Sequence, residues 1–170
     1  MNRHNSKNHT FNKKHSGKKQ FLTEYEINNI TKRFPDFELS YEKLVHKKVS
    51  SDIYVVIPKG KKYLLWFTYY KSDNVCFLIE LQGRRMVFKS MEFVSIAFRD
   101  NLSFGTILYG TIIHHEKTRF FSTENIYYHK GKDISKKYFS EKLKLINSIF
   151  KKDVRQLNLG NNGLVVGLSI

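Results

Sequence analysis

Alternation of apolar and polar positions, broken at short intervals by turn residues, dominates the chain from Asp52 to Tyr127. The pattern falls into stretches at Asp52 to Ile57, Lys62 to Tyr70, Val75 to Leu81, Arg85 to Phe88, Phe93 to Phe98, Thr106 to His114 and Arg119 to Tyr127. Each is rich in β-branched and aromatic residues and bounded by turn formers such as Pro58-Lys59-Gly60, Ser72-Asp73-Asn74 or Gln82-Gly83, so each is read as a strand. Turns this short join antiparallel neighbours, because parallel neighbours need long crossovers. Two stretches have a helical period instead. Thr23 and Glu26 form a Thr-x-x-Glu capping box ahead of Ile27, Ile30 and Phe34, and Pro35 stops the run, which predicts a helix over about Glu24 to Phe34. Phe139, Leu143, Ile146 and Phe150 make one apolar stripe ringed by Lys136, Lys137, Lys142, Lys144, Lys151 and Lys152. This second helix is expected to cover the sheet, with its lysines forming either a solvated face or part of a binding surface. The Gly-punctuated, apolar segment Gly160 to Ile170 is expected to tuck back as a short strand or loop. The expected fold class is α+β, mainly antiparallel sheets with covering helices, in one domain over residues 21–170.

Residues 1–20 lack this patterning: they hold six Lys and Arg, no acid, and one large apolar residue beyond the initiator, Phe11. Such a segment buries too little surface to offset its ordering entropy, so a flexible basic arm is expected. His4, His9 and His15 within it are irregularly spaced, which fits solvated filler better than metal ligation.

Charge narrows the choice of partner. Thirty Lys and Arg stand against 15 Asp and Glu, a formal net charge of +15, which favours association with phosphate. A membrane partner is not expected, since no apolar run approaches ~18 residues and no signal-type N-terminus opens the chain. Nucleic acid, and RNA in particular, is the expected partner, in an intracellular setting. Cys76 is the only cysteine, so neither an intrachain disulfide nor a Cys-based metal site is possible within one chain, and no metal or cofactor is expected.

Four segments carry a resemblance. They are Val55-Val56-Ile57-Pro58-Lys59-Gly60-Lys61-Lys62-Tyr63-Leu64-Leu65, Gly105-Thr106-Ile107-Leu108-Tyr109-Gly110-Thr111, Phe120 to Gly131, and Phe139-Ser140-Glu141-Lys142-Leu143. In this order they resemble the nucleotidyltransferase domain of messenger RNA capping guanylyltransferases and DNA or RNA ligases, above all the capping enzymes of large DNA viruses. The Pro-x-Gly-Lys loop is also similar to that of the snurportin cap-binding domain. On this register the family's nucleophilic Lys is replaced by Ile57 and the Asp of its loop by Lys59. The Asp and Glu of its third strand become Tyr109 and Thr111, and a later Asp becomes Asn125. A covalent nucleotidyl intermediate needs a Lys amine at the α-phosphate and carboxylates for Mg²⁺ and ribose. The resemblance therefore implies a pseudoenzyme that binds RNA, a cap or a 5′ end, without catalysis. It also implies capping or transcription machinery as partners and the cytoplasm, a virus factory or a virion as location. The alternatives are a divergent guanylyltransferase whose nucleophile has moved to Lys59 or Lys71, and a structural nucleoprotein of the virion.

The candidate binding residues follow. Lys59, Lys61 and Lys62 flank Gly60 and are expected to converge where a nucleotide phosphate would sit, with Gly60 allowing close backbone approach. Trp66 would stack a base if its strand face is exposed and would be core otherwise. Arg84 and Arg85, beside Gly83, are expected phosphate clamps. Lys71-Ser72-Asp73-Asn74 imitates the family's Lys-x-Asp-Gly but reads as a turn, and His114-His115-Glu116 reads as an exposed strand end. Asp73, Glu80 and Glu124 are the only carboxylates near the pocket.

Overall fold

The computed structural model describes residues 22–39, 50, 52–82, 88–157 and 163–168. The expected basic arm, Arg84 and Arg85 lie outside the described residues. The capping box closes as its sequence dictates: the Glu26 amide donates to Thr23 Oγ1 (3.2 Å) and the Thr23 amide donates to the Glu26 carboxylate (3.0 Å). The helix it starts, α1 (Glu24–Thr31), ends a turn earlier than its apolar spacing suggests. The amides of Arg33 and Phe34 bond three residues back, to Ile30 and Thr31, in a tightened last turn ahead of Pro35.

The strands are β1 (Lys62–Tyr70), β2 (Asp73–Leu81), β3 (Phe88–Phe93), β4 (Ala97–Phe98), β5 (Thr106–His115), β6 (Thr118–His129), β7 (Lys132–Asp133), β8 (Val154–Arg155) and β9 (Leu164–Leu168). A 3-10 helix (Asp100–Phe104) precedes β5, and α2 (Phe139–Lys152) follows β7. The main sheet runs β3-β2-β1-β5-β6-β7, antiparallel throughout, and β9 joins β6 in parallel. That parallel pair has α2 in its connection, as a parallel crossover requires.

The sequence pattern misplaces two strands. Residues 53–58 belong to no strand, because their alternating pattern finds no ladder partner among the described residues. Of the strand expected over Arg85 to Phe88, all but Phe88 lies outside the described residues, and Phe88 opens β3; the strand expected over Phe93 to Phe98 is split. At Ser95 the chain leaves the sheet to bridge Gly163, and Ala97–Phe98 then pairs with β8 in a separate two-stranded sheet.

The sheet curls. β6 passes β5 with an extra residue at Glu124 and again at Tyr127, and such bulges increase local twist. The curl brings distant strands together, with Arg119 of β6 pairing Glu92 of β3. Both faces are core. On one, Leu65, Phe67, Leu108 and Phe121 pack with Leu102 of the 3-10 helix, Ile146 and Ile149 of α2, and Val166 of β9. On the other, Leu64, Trp66, Phe77 and Tyr127 pack with Ile30 of α1 and with Phe37 and Leu39.

Candidate nucleic-acid interface

The lysines around Gly60 do not converge. Consecutive strand residues point to opposite faces, so Lys61 reaches Glu80 (3.1 Å) on one side of the sheet. Lys62 reaches both oxygens of Glu124 (2.7 and 2.8 Å) and Thr111 Oγ1 (2.8 Å) on the other. Burial alone would raise the Glu80 carboxyl, but hydrogen bonds from Lys61 and Lys89 hold it below its ordinary value. Lys59 is exposed and forms no ion pair among the described residues. Gly60 is needed for close approach, though to the neighbouring strand: a Cβ there would stand 2.7 Å from Thr111 Cγ2.

Trp66, expected as a stacking residue, is 2% exposed. Phe34 meets its ring edge-on at 5.0 Å and Phe77 packs at 6.0 Å, so the ring is core because both sheet faces are covered. The Lys71-Ser72 pair forms the β1–β2 turn with φ of 48° and 67°, two consecutive left-handed residues as in a two-residue hairpin. His114 and His115 are exposed at the end of β5.

Three of the positions that the resemblance singles out, Tyr109, Thr111 and Asn125, lie on the neighbouring strands β5 and β6. Tyr109 lies opposite Asn125, and Lys62 sits 5.9 Å from the centre of the Tyr109 ring. Between them stands Glu124, turned inward by its bulge and buried, with Thr111 donating to it. Both oxygens of this carboxylate are engaged, by Lys62 and, on one of them, by Thr111, an arrangement suited to holding strands together.

The open positive charge is elsewhere. Residues 130–155 hold nine Lys and Arg against three Asp and Glu. Lys132, Lys136, Lys144, Lys151 and Lys152 are exposed on and around α2 and form no ion pair among the described residues. Lys142 does not belong with them. It is 5% exposed, its Nζ donates to the Ser135 carbonyl (2.6 Å), and burial lowers its pKa.

A cleft opens at the end of β1 far from Gly60. It has a volume of about 380 Å³ and lies between Arg33, Tyr69, Phe104 and Tyr128. Four chain segments meet there: the end of α1, the end of β1, the end of the 3-10 helix and the Lys130-Gly131 turn between β6 and β7. The Gly131 amide donates to the Gly105 carbonyl (3.3 Å), tying two of them together. Gly131 has φ of 79°, and a Cβ on it would meet the Phe104 carbonyl at 2.9 Å. Sequence reasoning used Gly105 and Gly131 only as ends of motif segments. That both follow a strand or helix end, beside Phe104 and Lys130, was the available signal for this site.

No protein-family model matches the chain, and no curated protein matches it. Among the described residues, no helix is long and apolar enough to cross a membrane.

Proposed function

We propose that the chain is a non-catalytic RNA-binding module that holds the phosphate backbone along the α2 side of its domain. The supporting observation is the set of exposed lysines Lys132, Lys136, Lys144, Lys151 and Lys152, which form no ion pair among the described residues. Lysines whose charge is already met by a carboxylate, such as Lys61 and Lys62, have less to gain from phosphate. Absence of catalysis is favoured by Ile57, Lys59, Tyr109, Thr111 and Asn125 at the chemical positions, and by the engagement of Glu124 with Lys62. Descent from a capping guanylyltransferase domain rests on the four sequence segments, and it makes an RNA 5′ end the first ligand to try.

Fluorescence anisotropy with one short single-stranded RNA tests this reading. Changing Lys136, Lys144 and Lys151 to Ala should weaken binding on the order of tenfold to a hundredfold, as three exposed charge contacts of ~0.5 to 1 kcal/mol each predict. Changing Lys59, Lys61 and Lys117, at the opposite end of the sheet, should cost distinctly less. Equal losses would mean that binding follows net charge alone, and no binding by the unaltered protein would end the RNA reading. Incubation with labelled GTP or ATP and Mg²⁺ should leave no covalent adduct on a denaturing gel.

A further inference from the structure

We propose that the cleft between Arg33, Tyr69, Phe104 and Tyr128 takes a single unstacked nucleobase, so that the site reads a base while α2 holds the strand. This rests on the RNA reading for the source of the base but on separate residues for its capture. The cleft's volume of about 380 Å³ lies within the ~300 to 1,000 Å³ usual for small-ligand sites. It sits at the far end of β1 from the Lys59–Lys62 loop, where the resemblance would put a nucleotide.

The walls suit a flat ring. Phe104 is 60% exposed although aromatic, and it is held edge-on against Tyr69 with centroids 5.9 Å apart. An exposed ring braced by a second ring is a ready stacking surface, because every base presents a π-face. Arg33 supplies a planar cation on the rim. Its guanidinium donates to the Tyr69 carbonyl (2.8 Å), which fixes the plane and leaves further N–H groups for a base edge or phosphate.

The second observation is polar. Ser103 lines the same cleft, is 1% exposed, and its Oγ has no hydrogen-bond partner among the described residues. Buried hydroxyls in folded proteins are almost always paired, so an unpaired one on a cleft wall marks a place where a ligand atom completes the bond. A heteroaromatic edge carrying donors and acceptors does this, and a hydrocarbon ring does not. Charge agrees: Arg33 on the cleft wall is exposed, and so is Lys132, the residue that follows the lining Gly131 in sequence.

Trp66, the only tryptophan, lies against this cleft and provides the readout. Titration with the four nucleoside monophosphates should quench its fluorescence saturably, with one base preferred. Phe104→Ala, a change at an exposed ring, should weaken that quenching about tenfold, as loss of one stacking contact predicts. Ser103→Ala should flatten the preference among bases. The Lys136, Lys144 and Lys151 triple should leave mononucleotide quenching intact while weakening RNA. In the RNA arm, an oligonucleotide with abasic sites should bind less tightly than its parent, and the difference should vanish in Phe104→Ala. If no mononucleotide quenches Trp66 and abasic RNA binds as well as intact RNA, the cleft proposal is overturned although RNA binding stands. Saturable quenching without RNA binding would overturn the RNA reading and keep the cleft.

Discussion

Lys62 and Lys61 are adjacent in sequence and opposite in consequence. The Lys62 side chain is 26% exposed and its partner Glu124 only 6%, whereas Lys61 is 65% exposed. Removing Lys62 strands a buried carboxylate, so Lys62→Ala should cost ~2 to 4 kcal/mol in urea unfolding, short of the fully buried case because one partner is partly wet. Lys61→Ala should cost under ~1 kcal/mol. Pairing Lys62→Met with Glu124→Gln should recover most of the loss, and equal costs for the two single changes would show that the pair does not hold the strands. A second residue-scale prediction concerns Glu26. Tyr70, then the Thr23 amide and Lys71, hydrogen-bond its carboxylate and lower its pKa to about 2. A carboxyl depressed in the folded state contributes stability above its unfolded pKa and loses it as pH falls through the folded value. That contribution should be complete above about pH 4.5 and fade toward pH 2. Tyr70→Phe removes the largest cause, so the Glu26 carboxyl should titrate at higher pH by NMR; an unmoved titration would reassign the shift to Thr23 and Lys71.

Among elements, β9 is the one whose removal should reach furthest. It adds a parallel strand to the outer edge of β6, and Leu164 and Val166, each 2% exposed, enter the core that α2 covers. Leu164→Ala should cost ~2 to 5 kcal/mol by thermal or urea unfolding; a cost below that range would mean the strand is peripheral. The sequence made β9 visible only as a strand or loop, since its partner residues, Arg119 to Thr123 for Leu164 to Leu168, lie far upstream in β6. By contrast β1, β5 and β6 were legible to within two residues at each end, and α1 at its start and α2 by its apolar stripe, because period and turn chemistry are local properties. The segment at residues 53–58 has the same period and no strand, which shows that pattern proposes and pairing decides. The same limit governs the site. Alternation could not reveal that both faces of β1 are covered, so Trp66 stayed ambiguous until Phe34 and Phe77 were seen against it. Nor could local spacing turn Glu124 inward, because that depends on a bulge against β5. Lys142 looked like one more solvated lysine, and only the fold puts its amine on the Ser135 carbonyl.

For the molecule as a whole the deciding quantity is the distribution of its charge of +15. Six cations lie within residues 1–20, outside the described residues, and the exposed lysines of α2 form a separate set. If both sets contact one RNA strand, each contact releases counterions, and log affinity falls against log salt with a slope of ~0.7 per contact. Removing residues 1–20 should then reduce the slope by up to ~4, and the Lys136, Lys144 and Lys151 triple by ~2. Combining the two should reduce it by about the sum, since one strand would be losing independent contacts. The base in the cleft adds almost nothing to this slope, because stacking releases no counterion. Phe104→Ala should therefore lower affinity at every salt concentration and leave the slope where it was. Three quantities are thus separable in one set of salt titrations: arm, helix and cleft. A slope that does not change when residues 1–20 are removed would place those cations off the RNA path. A slope that changes in Phe104→Ala would mean that the cleft holds phosphate, with no base between its rings.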